Sequence, residues 1–116
     1  MIIGLTGSYG SGKDTVARVL KDMNFYLISL ADFLREEVKG EKVTKEKLIE
    51  VGNKLRFEHG PDVLAKKAIK RVMNGENHVF TSIRNPSEVR LLQKRDDFLL
   101  VNVTAPEKVR LKRYQQ

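Results

Sequence analysis

The residues best suited to chemistry stand together near the start of the chain, in the run Gly7-Ser8-Tyr9-Gly10-Ser11-Gly12-Lys13. Glycines at 7, 10 and 12 permit positive φ and let the backbone approach a ligand closely, so successive N–H groups can curl around oxyanions. The apolar run Ile2-Ile3-Gly4-Leu5-Thr6 leads into the loop, and the helical pattern of Val16, Val19 and Leu20 leads out of it. Strand, glycine-rich turn and helix in that order place the amides at a helix N-terminus, which favours phosphate. Lys13 adds a point charge toward the β- and γ-phosphates of a nucleotide. The stretch therefore reads as a phosphate-binding loop for ATP made of Gly7, Ser8, Tyr9, Gly10, Ser11, Gly12, Lys13, Asp14 and Thr15.

One position departs from the G-x-x-x-x-G-K-[ST] pattern. Asp14 stands where a Mg²⁺-binding hydroxyl is expected, and Thr15 follows one place later. A carboxylate there can serve as a Mg²⁺ ligand, because hard divalent cations prefer oxygen. Its plain alternative is an acidic residue in a first helical turn, favourable to the helix dipole. Tyr9 either covers a phosphate or fills space. The plain alternative for the whole stretch is a glycine-rich turn with a surface lysine.

The elements that must hold this loop alternate along the chain. A strand over 2–6 and a helix over 13–22 flank it. A second strand is expected over 24–30, then a helix from Asp32 to Val38 closed by Gly40. Thr44 caps a helix to His59 with Leu48, Val51 and Leu55 on one face, and Gly60 stops it. Pro61 suits the first turn of a further helix running to Gly75. Strands over 78–83 and 98–103 follow. Asn85-Pro86-Ser87-Glu88 and Thr104-Ala105-Pro106-Glu107 are two similar helix starts. Alternation of this kind implies a three-layer α/β fold, with a parallel sheet of about four strands, right-handed crossovers and helices on both faces.

At 116 residues the chain reads as one domain, 1–116. It holds no cysteine, which excludes disulfides and thiolate metal sites. A basic leader and a membrane-length apolar run are both lacking, so a soluble cytoplasmic protein is expected. The net charge of +7 is densest at Lys66, Lys67, Lys70 and Arg71, opposite Leu64, Ala65 and Ala68. That pattern reads as a solvated helix face, with a nucleic-acid surface as the competing reading. His59 and His78 have no metal-site spacing and read as a helix-end and a strand-start residue.

Ligands of parallel α/β sheets bind at the carboxyl ends of the strands, which here carry Ser29, Asp32, Arg35, Arg84, Asn85 and Thr104. Together with the loop, the segments Ala31-Asp32-Phe33-Leu34-Arg35, Gly52-Asn53-Lys54-Leu55-Arg56 and Ile83-Arg84-Asn85-Pro86 resemble the nucleoside-monophosphate-kinase-like group of P-loop kinases. The likeness is greatest to its archaeal-type dephospho-coenzyme A kinase-like proteins. The resemblance implies transfer of the γ-phosphoryl of ATP, with Mg²⁺, to dephospho-coenzyme A or a nucleoside monophosphate. It assigns the helical stretch 31–75 to acceptor binding, with Asp32, Arg35, Arg56 and Arg84 on the acceptor side and Lys13 and Arg84 as catalytic residues. On the plain reading Arg35 is a partner of Asp32 at helical spacing, and Arg56 and Arg84 are surface cations.

Two departures qualify the resemblance. Such kinases carry an aspartate at the end of the third strand, where this chain has Thr81 or Ser82. They also continue into an arginine-bearing lid and a fifth strand. Here Arg110 and Arg113 would lead into that lid shortly before Gln116. A C-terminally incomplete kinase domain is expected, with little catalysis by itself. An ATP-binding regulatory or interaction module without transfer activity is the competing class.

Overall fold

The computed structural model describes residues 1–7, 12–38 and 42–104. Its elements are β1 (Ile2–Thr6), α1 (Lys13–Asp22), β2 (Tyr26–Ser29), α2 (Leu30–Glu37), α3 (Lys45–His59), α4 (Val63–Lys70), β3 (His78–Thr81), α5 (Pro86–Leu92) and β4 (Phe98–Asn102). The strands form one four-stranded sheet in the order β2-β3-β1-β4, and every pairing is parallel. The expected three-layer α/β fold is the one observed.

Side chains alternate across each strand, so one sequence feeds two cores. Ile2 and Phe80 join Leu30, Phe33, Leu55, Leu64, Ala68 and Leu92, drawn from α2 to α5, in a core on one face. Leu5 and Val79 meet Ala17 of α1 on the other, with Ile3, Val16, Leu20 and Val101 around them. Gly4 belongs to the first face. A Cβ there would lie 2.7 Å from the Phe98 ring, so the missing side chain lets that ring cross β1.

Several boundaries differ from the sequence expectation. β2 is shorter at both ends: Asn24 turns at φ 70, a conformation that asparagine tolerates, and the fully buried Leu30 already begins α2. β3 stops at Thr81 because Ser82 swings to φ 62. α3 starts and stops as expected, with Thr44 Oγ1 accepting the Lys47 N–H at 3.1 Å and Gly60 at its end.

α4 is the clear correction. Pro61 lies in the turn before it, Asp62 is its N-cap residue, and it ends at Lys70, well short of Gly75. The last turn tightens, with the N–H groups of Arg71 and Val72 reaching back only three residues, to Ala68 and Ile69. Arg71 is held off the helix line by both carboxylate oxygens of Glu36, each at 3.1 Å, and by the Phe33 ring beneath it. Lys66 pairs with Asp62 at 3.3 Å. Two of the four residues of the basic cluster, Lys66 and Arg71, are thus engaged by neighbouring groups.

His78 is fully buried, and its Nε2 accepts the Met73 N–H at 3.2 Å, which makes it a structural histidine. In the turn before β4, the hydrogen bond from Arg95 holds the Asp97 carboxyl below its ordinary value. Gly40, the second expected helix start from Ala105 onward, Arg110 and Arg113 lie outside the described residues. Among the described residues no helix is long and apolar enough to cross a membrane.

Candidate functional site

Parallel pairing brings all the strand ends out on one edge, and the register keeps them level. Ser29 sits beside Thr81, and Thr6 beside Asn102. The middle of that edge belongs to β1, followed directly by Gly7. Ser8, Tyr9, Gly10 and Ser11 lie outside the described residues, whereas the two ends of the loop are described.

Gly12 is the N-cap of α1 at φ 97, in the left-handed region that strains any residue with a Cβ. No side chain among the described residues caps this helix, and N–H groups at a helix start suit an anion. Half-buried Lys13 folds back, and its Nζ donates to the Gly7 carbonyl at 2.8 Å. The ammonium group is therefore held across the mouth of the loop. Asp14 and Thr15 stand exposed on the same turn. Gly7 thus meets the start of α1, where Gly12, Lys13, Asp14 and Thr15 follow one another.

This arrangement fits a nucleotide triphosphate: uncapped amides, a positive helix end and an ammonium group converge on one place. Among the described residues no three potential ligands cluster around a metal. A lone exposed Asp14 fits Mg²⁺, a cation that keeps several waters and takes phosphate oxygens for the rest.

The residues expected on an acceptor side fare differently. Asp32 and Arg35 form an exposed ion pair across one turn of α2, the geometry of the plain reading. Half-buried Arg56 is laid back along α3, with its Nη1 3.0 Å from the point a Cβ on Gly52 would occupy, so Gly52 makes room for it. Its Nε is buried and has no hydrogen-bond partner among the described residues. Arg84 stands exposed in the turn after β3 and lines an open recess of about 460 Å³ beside Thr6, Ile83, Pro86, Val89 and Arg90. At the end of β3, where an aspartate was expected, Ser82 Oγ lies 3.0 Å from Ser29 Oγ and bridges the ends of β3 and β2.

One residue near this turn escaped the sequence reading, as did the burial of a second. Arg90 supplies a second guanidinium to the recess, with its Nη2 donating to Ser87 Oγ at 3.2 Å. Its spacing from Arg84 is the sequence signal, visible only once a helix is known to start at Pro86. Glu88 was legible as a helix-capping residue, but its depth was not. It is fully buried, and its Oε1 accepts the N–H groups of Arg84 at 2.7 Å and Asn85 at 3.1 Å.

A parallel sheet whose first strand runs into a glycine-rich loop, with lysine opening the next helix, defines a P-loop nucleotide-binding fold. The chain belongs to the AAA domain family, whose pattern matches residues 3–116. It is 32% identical to a UPF0200 protein of Methanothermobacter thermautotrophicus, in an alignment covering 100% of this chain and 61% of that one. A UPF0200 protein of Sulfurisphaera tokodaii is 30% identical, over 97% of this chain and 63% of its own. The chain thus spans a little over three fifths of these relatives. Among solved structures, TT1252 from Thermus thermophilus aligns with TM-score 0.60 and 25% identity, over 99% of this chain and 71% of that one. A proposed kinase from Chloroflexus aurantiacus shares the fold with TM-score 0.67 and 19% identity, covering 98% and 64% of the two chains.

Proposed function

We propose that this domain binds ATP with Mg²⁺ and belongs to a small-molecule kinase that passes the γ-phosphoryl group to dephospho-coenzyme A or a nucleoside monophosphate. The observation that carries the reading is the Lys13 ammonium held at 2.8 Å on the Gly7 carbonyl, over a helix start that no described side chain caps. Lys13 exchanges that carbonyl for phosphate oxygens when ATP enters, which costs little reorganisation because the group is already in place. Asp14 would hold Mg²⁺, which when bound would supply charge neutralisation to the phosphates.

Phosphoryl transfer needs positioning and charge stabilisation more than covalent help from the protein. Arg84, at the edge beside the loop, is assigned to the acceptor and to the charge that develops during transfer. Asp32 and Arg35 are assigned to the acceptor from α2, and Arg56 less directly from α3. A kinase-like fold neighbour and the resemblance of the strand-end segments support transfer over simple binding.

The test uses γ-labelled ATP and Mg²⁺ with dephospho-coenzyme A and a set of nucleoside monophosphates. Both this chain and a version extended to the length of its relatives are assayed. Label should move to one acceptor class and stay on ATP in Lys13→Ala. ATP that binds but passes label to no acceptor, in either version, would leave a nucleotide-binding module and reject the kinase.

A further inference from the structure

The turn from Ser82 to Asn85 carries Arg84 and is fixed at several points. Ser82 leaves β3 in the left-handed region at φ 62, which is costly for a residue with a Cβ and persists only when its surroundings determine it. Its hydroxyl meets that of Ser29 at 3.0 Å. Asn85 Nδ2 donates to the Pro61 carbonyl at 3.0 Å, tying the turn to the connection between α3 and α4. The third anchor is Glu88. Its side chain lies wholly inside the protein, and one oxygen takes both the Arg84 and the Asn85 N–H. Its other oxygen is buried without a hydrogen-bond partner among the described residues.

We infer that Glu88 is a positioning residue for Arg84. The carboxylate fills the N-terminus of α5 from within and grips the backbone of Arg84 itself, so the guanidinium side chain leaves a fixed point and faces outward over the recess. An ordinary capping box satisfies one amide of the cap residue. Here the same oxygen reaches one residue further back, to the residue assigned to the acceptor. A surface cap would not need to be fully buried, nor to leave an oxygen unpartnered, a state that costs stability. The inference rests on the proposed kinase reading for what Arg84 touches, and on the geometry alone for what Glu88 does to it.

Two substitutions separate reach from charge. Glu88→Gln keeps the accepting Oε1 and places an amide where the unpartnered oxygen stood. Glu88→Asp keeps the carboxylate but withdraws it by one methylene. Amide hydrogen exchange of Arg84 and Asn85 should quicken about tenfold or more in Glu88→Asp and stay near the parent rate in Glu88→Gln, with the amides of β1 unchanged in both.

Affinities for AMP and dephospho-coenzyme A, measured with ATP affinity as the control, complete the test. Whichever probe the parent binds should bind about tenfold more weakly to Glu88→Asp. Adding Arg84→Ala to that variant should cost no further affinity, because both changes remove one interaction. Parent-like exchange at Arg84 in Glu88→Asp would overturn the positioning role, as would losses that multiply in the double variant. If Arg84→Ala alone leaves probe affinity unchanged, the acceptor assignment fails instead, and the exchange result still decides what Glu88 does.

Discussion

Two strand-to-helix junctions share one edge of the sheet and treat their backbone donors in opposite ways. After β1 the chain enters α1 through Gly12, with no described side chain capping the helix. After β3 it enters α5 through Asn85, whose Oδ1 takes the Glu88 N–H at 2.9 Å while the Glu88 carboxylate takes the donors before it. Both helix starts carry the same partial positive charge. One is closed by an anion from its own sequence, and the other has no such cap among the described residues. On the proposed reading the glycine-entered helix start takes the phosphates of a nucleotide, while its closed neighbour serves to aim a side chain.

The largest effect should come from opening the closed junction. Glu88→Ala strips the partner from two part-buried amides, each worth about 1–3 kcal/mol when unsatisfied, so urea unfolding should show a loss of about 2–6 kcal/mol. ATP affinity per folded molecule should not change. A loss below about 1 kcal/mol would mean that water replaces the carboxylate and that the junction is not closed in the sense argued.

Next comes the side chain that the closed junction presents. Arg84→Ala and Arg35→Ala should each weaken the acceptor by roughly tenfold or more while leaving ATP nearly untouched, since hydrogen bonds to ionised groups contribute about 1.5–3 kcal/mol. Equal weakening of ATP and acceptor in calorimetric titration would erase the division between the two junctions. Asn85→Ala should cost about 1 kcal/mol of stability, the ordinary worth of a helix cap.

The smallest effect belongs to the open junction. Asp14→Asn should reduce the gain in ATP affinity that Mg²⁺ provides by a few-fold, and without metal should leave that affinity unchanged or slightly improved. Its stability cost should stay within about 0.3–1 kcal/mol, the range of a charge at a helix end. An unaltered Mg²⁺ effect would return Asp14 to the helix dipole alone.

Much of this was legible in the sequence because it depends on local rules. Alternating strands and helices, the cap at Thr44 and the glycines around Lys13 each declare themselves within a few residues. What was not legible depends on distant contacts. α4 stops at Lys70, and the Arg71 that follows is engaged by Glu36 and Phe33, neither of them near in sequence. Ser82 turns out of β3 beside Ser29, on a strand more than fifty residues earlier. The acidic residue at 88 was visible as a cap, yet its burial needed the α4 and α5 packing that encloses it.

The central claim is that the junction after β1 binds the phosphates of ATP, and titration of Lys13→Ala tests it most directly. Magnesium ATP is titrated calorimetrically into the parent and the variant, with unfolding of each followed without ligand. The account predicts that Lys13→Ala folds as a cooperative domain and shows no detectable ATP binding, because its ammonium faces the loop mouth and the Gly7 carbonyl. A folded Lys13→Ala that binds ATP as tightly as the parent would contradict it.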